Sequence, residues 1–162
     1  MTVTSTVKDP ENLTMTITAD LAATAERAWE LWSDHRQLER WWGPPTWPAT
    51  FASHDFTPGG MANYYMTGPN GEKAGGWFRF IEIELPRRLV IEDGFADDSG
   101  APNDDLPRTV FTVRFVDREG GVTMSIETRF PSLEAMEQMS AMGMEEGMTL
   151  ALGQIDAILT AT

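Results

Sequence analysis

Few side chains in this sequence are suited to moving a proton, and two of them are its only histidines. His54 alternates with Ala52 and Phe56 in a strand-like segment, which turns its imidazole inward and makes it a candidate base. His35 stands between Asp34 and Arg36 at a polar helix start and is expected to face solvent. Glu137 falls within the apolar arc of a C-terminal helix, where burial would raise its pKa and let it partner His54 in acid–base work. Its place near that helix's N-terminus equally suits a plain favourable interaction with the dipole. Tyr64 is a third polar group that an inward strand position would present. His54, Glu137 and Tyr64 are therefore the catalytic candidates.

Other chemistries are excluded by what the chain lacks. It has no cysteine, which removes disulfides, thiol nucleophiles, thiolate zinc sites and iron–sulfur clusters together. No dinucleotide fingerprint, phosphate loop, nucleophile elbow or His-x-x-x-His pair occurs, so no cofactor is expected. Residues 92–105 gather Glu92, Asp93, Asp97, Asp98, Asp104 and Asp105 without a basic residue, and hard cations take clustered carboxylates. The spacing does not match a calcium loop, and Gly94, Gly100, Pro102 and Asn103 describe a solvated turn, so no metal is expected. Twelve basic against twenty-five acidic residues leave a formal charge of -13, which repels phosphate and disfavours nucleic acid and anionic membranes.

A second set of residues suits binding. Trp29, Trp32, Trp41, Trp42 and Trp47 crowd the first third of the chain, and Tyr64, Tyr65 and Trp77 follow. Each indole brings a large apolar area and one donor that needs a partner when buried. Trp29 and Trp32 are expected to seal short helices onto a sheet, and the others to line a pocket mouth. Five of the ten methionines lie between Met136 and Met148. At about 100° per residue, Met136, Ser140, Met144 and Met148 point to the core, while Met139 and Met142 fall outside it. Thioethers adapt to varied apolar partners. Gly143, Gly147 and Gly153 cost this helix roughly 2–3 kcal/mol relative to alanine, so a geometric reason for them is expected. The expected cavity is thus lined by Trp41, Trp42, Tyr64, Tyr65, Trp77, Met136, Ser140, Gly143, Met144, Gly147 and Met148; ordinary core packing is the competing account of the same residues.

Positioning these groups requires a sheet and a helix to cover it. Residues 13–19 alternate Leu13, Met15, Ile17 and Ala19 against three threonines, the period of a half-buried strand. This is read as the first strand, with residues 1–12 as an N-terminal extension and 13–162 as a single domain. The spacing over 24–42 suits two short helices capped by Thr24 and Asp34 and ended by Gly43-Pro44-Pro45. An antiparallel meander follows between Phe51 and Phe130, punctuated by glycine and proline turns. Ser132 then caps a helix expected to run from Leu133 to about Thr160, roughly 40 Å long. The order implies an α+β fold, a curved antiparallel sheet of about six to seven strands wrapped around a long C-terminal helix. No signal peptide or spanning apolar stretch is present, so membrane insertion is not expected and a cytoplasmic location is. A free edge strand offers a route to a homodimer.

The punctuation also carries a resemblance. Ala25-Glu26-Arg27-Ala28-Trp29, Leu38-Glu39-Arg40-Trp41-Trp42-Gly43-Pro44, Asp55-Phe56-Thr57-Pro58-Gly59-Gly60, Gly68-Pro69-Asn70-Gly71, Pro86-Arg87-Arg88-Leu89-Val90 and Gly143-Met144-Glu145-Glu146-Gly147 appear in order. Together they resemble the SRPBCC (START-like) superfamily, and within it single-domain bacterial proteins similar to the C-terminal domain of the activator of heat-shock protein 90 ATPase. Met148 stands where tryptophan is common in the family pattern, and Met61 where a polar or bulky residue often begins the strand. The resemblance implies a helix-grip fold with an apolar cavity between sheet and terminal helix. Three functions follow as expectations: non-catalytic binding of a small apolar, lipid-like or aromatic molecule; a cyclase, aromatase or hydrolase using His54, Tyr64 or Glu137; and a chaperone-partner module carried by the acidic surface with Met139 and Met142.

Overall fold

The computed structural model describes residues 3–160. The chain forms strands Val3–Asp9 (β1) and Thr14–Leu21 (β2), then helices Ala25–Ser33 (α1) and His35–Leu38 (α2). Strands Ala49–His54 (β3), Met61–Thr67 (β4), Lys73–Glu84 (β5), Arg88–Ala96 (β6), Thr109–Arg118 (β7) and Gly121–Arg129 (β8) complete one antiparallel eight-stranded sheet. Its order is β1-β2-β8-β7-β6-β5-β4-β3, so the chain crosses from β2 to the far edge through α1 and α2 and then meanders back. Thr24 and Asp34 cap the two helices as their positions suggest, accepting from the backbone N–H of Arg27 and Arg36.

The alternating segment expected to open the sheet is its second strand. Val3–Asp9, read from sequence as an extension, lies antiparallel to it from Val3 opposite Ala19 to Asp9 opposite Thr14. Only Val3, Thr6 and Asp9 of β1 are partly covered, a spacing of three rather than two, so alternation gave no sign of this polar edge strand.

The terminal helix is a larger correction. It is three helices, Leu133–Ala141 (α3), Met144–Leu152 (α4) and Ile155–Thr160 (α5). Gly143 adopts φ of 85°, a left-handed conformation that side-chain-bearing residues avoid, and it starts α4. A second turn follows at Gly153, where the side-chain amide of Gln154 donates to the carbonyl of Gly43 at 2.7 Å and fixes the break to the loop after α2. Each interruption is short enough that the apolar spacing continues across it, so the sequence pattern does not mark the breaks.

Helices and sheet share one core. Trp29 and Trp32 of α1, Ile17 of β2, Phe115 of β7, Met124 of β8, Phe80 of β5, Met136 of α3 and Ile155 of α5 all belong to it. No helix among the described residues is long and apolar enough to cross a membrane.

Candidate ligand cleft

The site begins with three strand positions. Tyr64 on β4 lies opposite Gly76 on β5, and Asp93 on β6 lies opposite Phe78, the next inward residue of β5. A Cβ on Gly76 would collide with the Tyr64 ring, so this glycine lets the phenol lie across the β5 backbone. The Tyr64 hydroxyl thereby reaches the next strand and donates to Oδ1 of Asp93 at 3.0 Å. Among the described residues, none donates a hydrogen bond to the other Asp93 oxygen.

Asp93 opens on a cleft of about 390 Å³. One wall is Trp42, Pro44 and Trp47 from the segment after α2; another is Tyr64, Met66 and Phe95 from the sheet; the third is Met139 and Met142 with Met144, Gly147 and Met148 of α4. Asp93 is the only charged side chain on these walls. Protein atoms surround it densely, yet it is reachable from the cleft. Desolvation pushes its carboxyl up to about 7, against the smaller downward pull of the Tyr64 hydrogen bond. The Tyr64 phenol is pushed well above its ordinary value, first by burial and then by the charge of Asp93; the nearby Trp42 indole N–H opposes this. Trp42 Nε1 is buried without a partner at hydrogen-bonding distance. A largely apolar recess of this size, with few converging polar groups, is suited to a small organic molecule.

Of the residues expected to line a cavity, Trp42, Tyr64, Met144, Gly147 and Met148 border this cleft. Nothing lies within 4 Å of where a Gly147 side chain would start, so the glycine leaves open volume. The other expected liners are elsewhere. Trp41 is in the core, its indole donating to the carbonyl of Leu31 at 3.0 Å. Met136 is in the core beneath α3. Trp77 and Tyr65 occupy the opposite strand face: the Arg108 guanidinium lies 4.9 Å from the Trp77 ring centre, and the Lys73 ammonium 4.5 Å from that of Tyr65. Ser140 is exposed, and Gly143 makes the turn between α3 and α4. Met139, expected to be exposed, is 8% accessible, while Met142 is 53% accessible at the cleft rim. A wheel drawn through all three helices takes its axis partly from residues beyond the break. On α3 alone, Ala135, Met136 and Met139 share the buried face, and Glu137 and Ser140 leave it.

The expected catalytic pair does not form. Glu137 is exposed, and His54 is held elsewhere: its ring stacks on Phe56 at 5.6 Å and its Nε2 lies 3.2 Å from the carbonyl of Trp32, to which it donates. Burial lowers the His54 pKa, with the Trp32 carbonyl pulling the other way. His54 is thus a half-buried packing group, held away from the cleft. Tyr64 remains at the cleft.

Asp93, the central polar residue of the cleft, was grouped from sequence with the solvated acidic loop. Leu89, Ile91, Asp93 and Phe95 alternate on one face of β6, and that signal was present in the sequence. The rest of the acidic run behaves as a turn, with Asp97 accepting from the backbone of Ser99 and Ala101. No group of carboxylates and histidines among the described residues is arranged to hold a metal ion.

An antiparallel sheet closed by terminal helices, with a cleft between β4–β6 and α3–α4, defines a helix-grip domain of the SRPBCC type. Within that class, the chain belongs to the activator of Hsp90 ATPase homolog 1-like proteins, whose family model matches residues 22–160. Its fold superposes on the solution structure of an Arthrobacter aurescens protein with a TM-score of 0.95 and 53% identity, covering 99% of this chain and 94% of that one. A Mycobacterium smegmatis protein gives 0.91 and 44% identity over 99% and 98%. The AHSA1 protein from Silicibacter pomeroyi, at 18% identity and 0.72 over 91% and 98%, shares the fold. No relative was found among curated proteins.

Proposed function

We propose that this chain is a non-catalytic binding protein that holds one small, largely apolar aromatic molecule in the cleft between β4–β6 and α4. The observation that carries the reading is the cleft itself: aromatic and thioether walls, open volume beside Gly147, and Asp93 as the single charged group. Binding there would cover apolar surface at about 25 cal/mol per Å². Native mass spectrometry of gently purified protein, with a thermal-shift panel of aromatic and lipid-like compounds, tests it. A bound species or a shift is expected in the natural chain and not in Gly147→Phe, which fills the cleft. Equal shifts in both chains would contradict the assignment.

One observation favours an enzyme instead. A carboxyl titrating near 7 beside a phenol is poised for general acid–base work. Conversion of a bound compound, lost in Asp93→Asn while binding persists, would replace the binder by an enzyme using Asp93 and Tyr64 rather than His54 and Glu137. The chaperone-partner reading loses one support, since Met139 is buried.

A further inference from the structure

The charge arrangement of the cleft selects among ligands. Among the described residues, no lysine, arginine or histidine borders it, so an anion would meet Asp93 without compensation. A neutral ligand covering Asp93 could at most donate a hydrogen bond to the second carboxyl oxygen and would leave its negative charge uncompensated in the cleft. A cation answers both problems. It supplies the counter-charge that the protein lacks at this point, and it does so beside the aromatic rings of Trp42, Trp47 and Phe95, whose π-faces attract organic cations. The chain's formal charge of -13 adds a long-range field that concentrates cations and repels anions. The walls are otherwise apolar, which fits a ligand whose charge sits at one end of a ring system; the thioethers of Met144 and Met148 suit the ring.

From these features we infer that the cleft binds an aromatic primary amine as its ammonium ion, paired with the Asp93 oxygen that Tyr64 leaves free. The inference rests on the cleft being the binding site and adds the ligand's charge and chemical class. Tyr64 acts as a positioning residue: its hydroxyl occupies Oδ1 and orients the carboxyl so that the second oxygen meets the ligand. Among the described residues, Tyr64 is also the only other titratable group on the cleft walls, since β5 presents Gly76 and Phe78 to Asp93, β7 presents Thr109, and the helical side presents methionines and Gly147. Amine affinity therefore follows the ionisation of one carboxyl.

Isothermal titration with tryptamine, its neutral counterpart tryptophol and the anion indolepropionate tests this. At pH 8 tryptamine should bind about tenfold or more tightly than tryptophol, because a desolvated charge pair is lost in the neutral compound. Between pH 8 and pH 6 tryptamine affinity should fall about tenfold as the carboxyl protonates, while tryptophol affinity does not fall. Asp93→Asn, which keeps the shape of the protonated side chain, should bind tryptamine and tryptophol alike; the pH series on the natural chain gives the same answer without a substitution. If tryptophol matches tryptamine at pH 8, or Asp93→Asn keeps the amine preference, the amine assignment is overturned while cleft binding stands. If Gly147→Phe binds tryptamine as the natural chain does, or no probe binds at all, the cleft reading falls and the inference with it.

Discussion

Two neighbouring parts of the concave side are built from the same residue types and treat their polar atoms differently. Under α1, the Trp32 indole meets the sulfur of Met124 at 3.5 Å, Trp41 donates to Leu31, and His54 donates to the Trp32 carbonyl. Trp42, whose ring centre is 5.8 Å from that of Trp32, has no such partner, and Asp93 has only Tyr64. The first region is closed packing. The second leaves open volume, a carboxyl pushed up to about 7 and a solvent-reachable methionine wall. The two regions do not differ in aromatic content; they differ in whether the few polar atoms among the rings find partners.

The sharpest way to break this contrast is truncation on either side of it. Trp32→Ala should cost about 3–5 kcal/mol in urea unfolding, as expected for a buried tryptophan. Met148→Ala, on the cleft wall, should cost about 1 kcal/mol because its side chain is only partly buried and water can enter. Similar losses at both sites would erase the distinction.

Next in size is the pH response of Asp93. Its folded pKa, about 7, lies above the ordinary carboxylate range, so the folded state holds the proton more tightly than the unfolded chain. The group therefore contributes most at low pH, and that contribution is lost as pH rises from about 4 through 7. Asp93→Asn should match the natural chain near pH 4 and exceed it increasingly up to pH 8, by at most about 4 kcal/mol. Partial access to solvent brings the gain below that ceiling. A stability difference that stays constant across the series would show that Asp93 is not desolvated.

Gly76→Ala should be smaller in cost, about 1–3 kcal/mol, since the added carbon forces the Tyr64 ring off β5. The carboxyl resonance of Asp93, followed by NMR, should then titrate with a changed midpoint because its hydrogen bond is broken. An unchanged titration would mean that Tyr64 does not depend on Gly76. The smallest effect carries the opposite sign: Gly147→Ala should stabilise by about 0.5–1 kcal/mol, because α4 gains helix propensity and the new methyl meets nothing within 4 Å. Destabilisation there would mean that the glycine is needed for packing rather than leaving room.

Most of the fold was legible because alternation and capping are local. The alternating threonines of β2, the Thr24, Asp34 and Ser132 caps and the glycine turns all fell in place. β1 was missed because a polar edge strand has no buried face to advertise. The helix breaks were missed because a left-handed glycine and a helical one look alike in a sequence whose apolar spacing continues. The site was half legible. Gly147, Met144 and Met148 lie at the cleft, as their spacing on α4 suggests, whereas Glu137 and Ser140 depended on a helix axis that the break at Gly143 displaces. Asp93 was obscured by its acidic neighbours, although Ile91 and Phe95 two positions either side mark it as inward. His54 is half-buried and meets the Trp32 carbonyl rather than the cleft.

Whether the cleft and not the packed region under α1 receives a ligand is read out by methyl NMR of the methionines during titration with tryptamine at pH 8. Met66, Met144 and Met148 border the cleft, whereas Met15 and Met124 lie in the closed core. Saturable shifts are expected in the first group and unchanged positions in the second. Shifts centred on Met15 and Met124, or none at saturating amine, would contradict binding in the cleft.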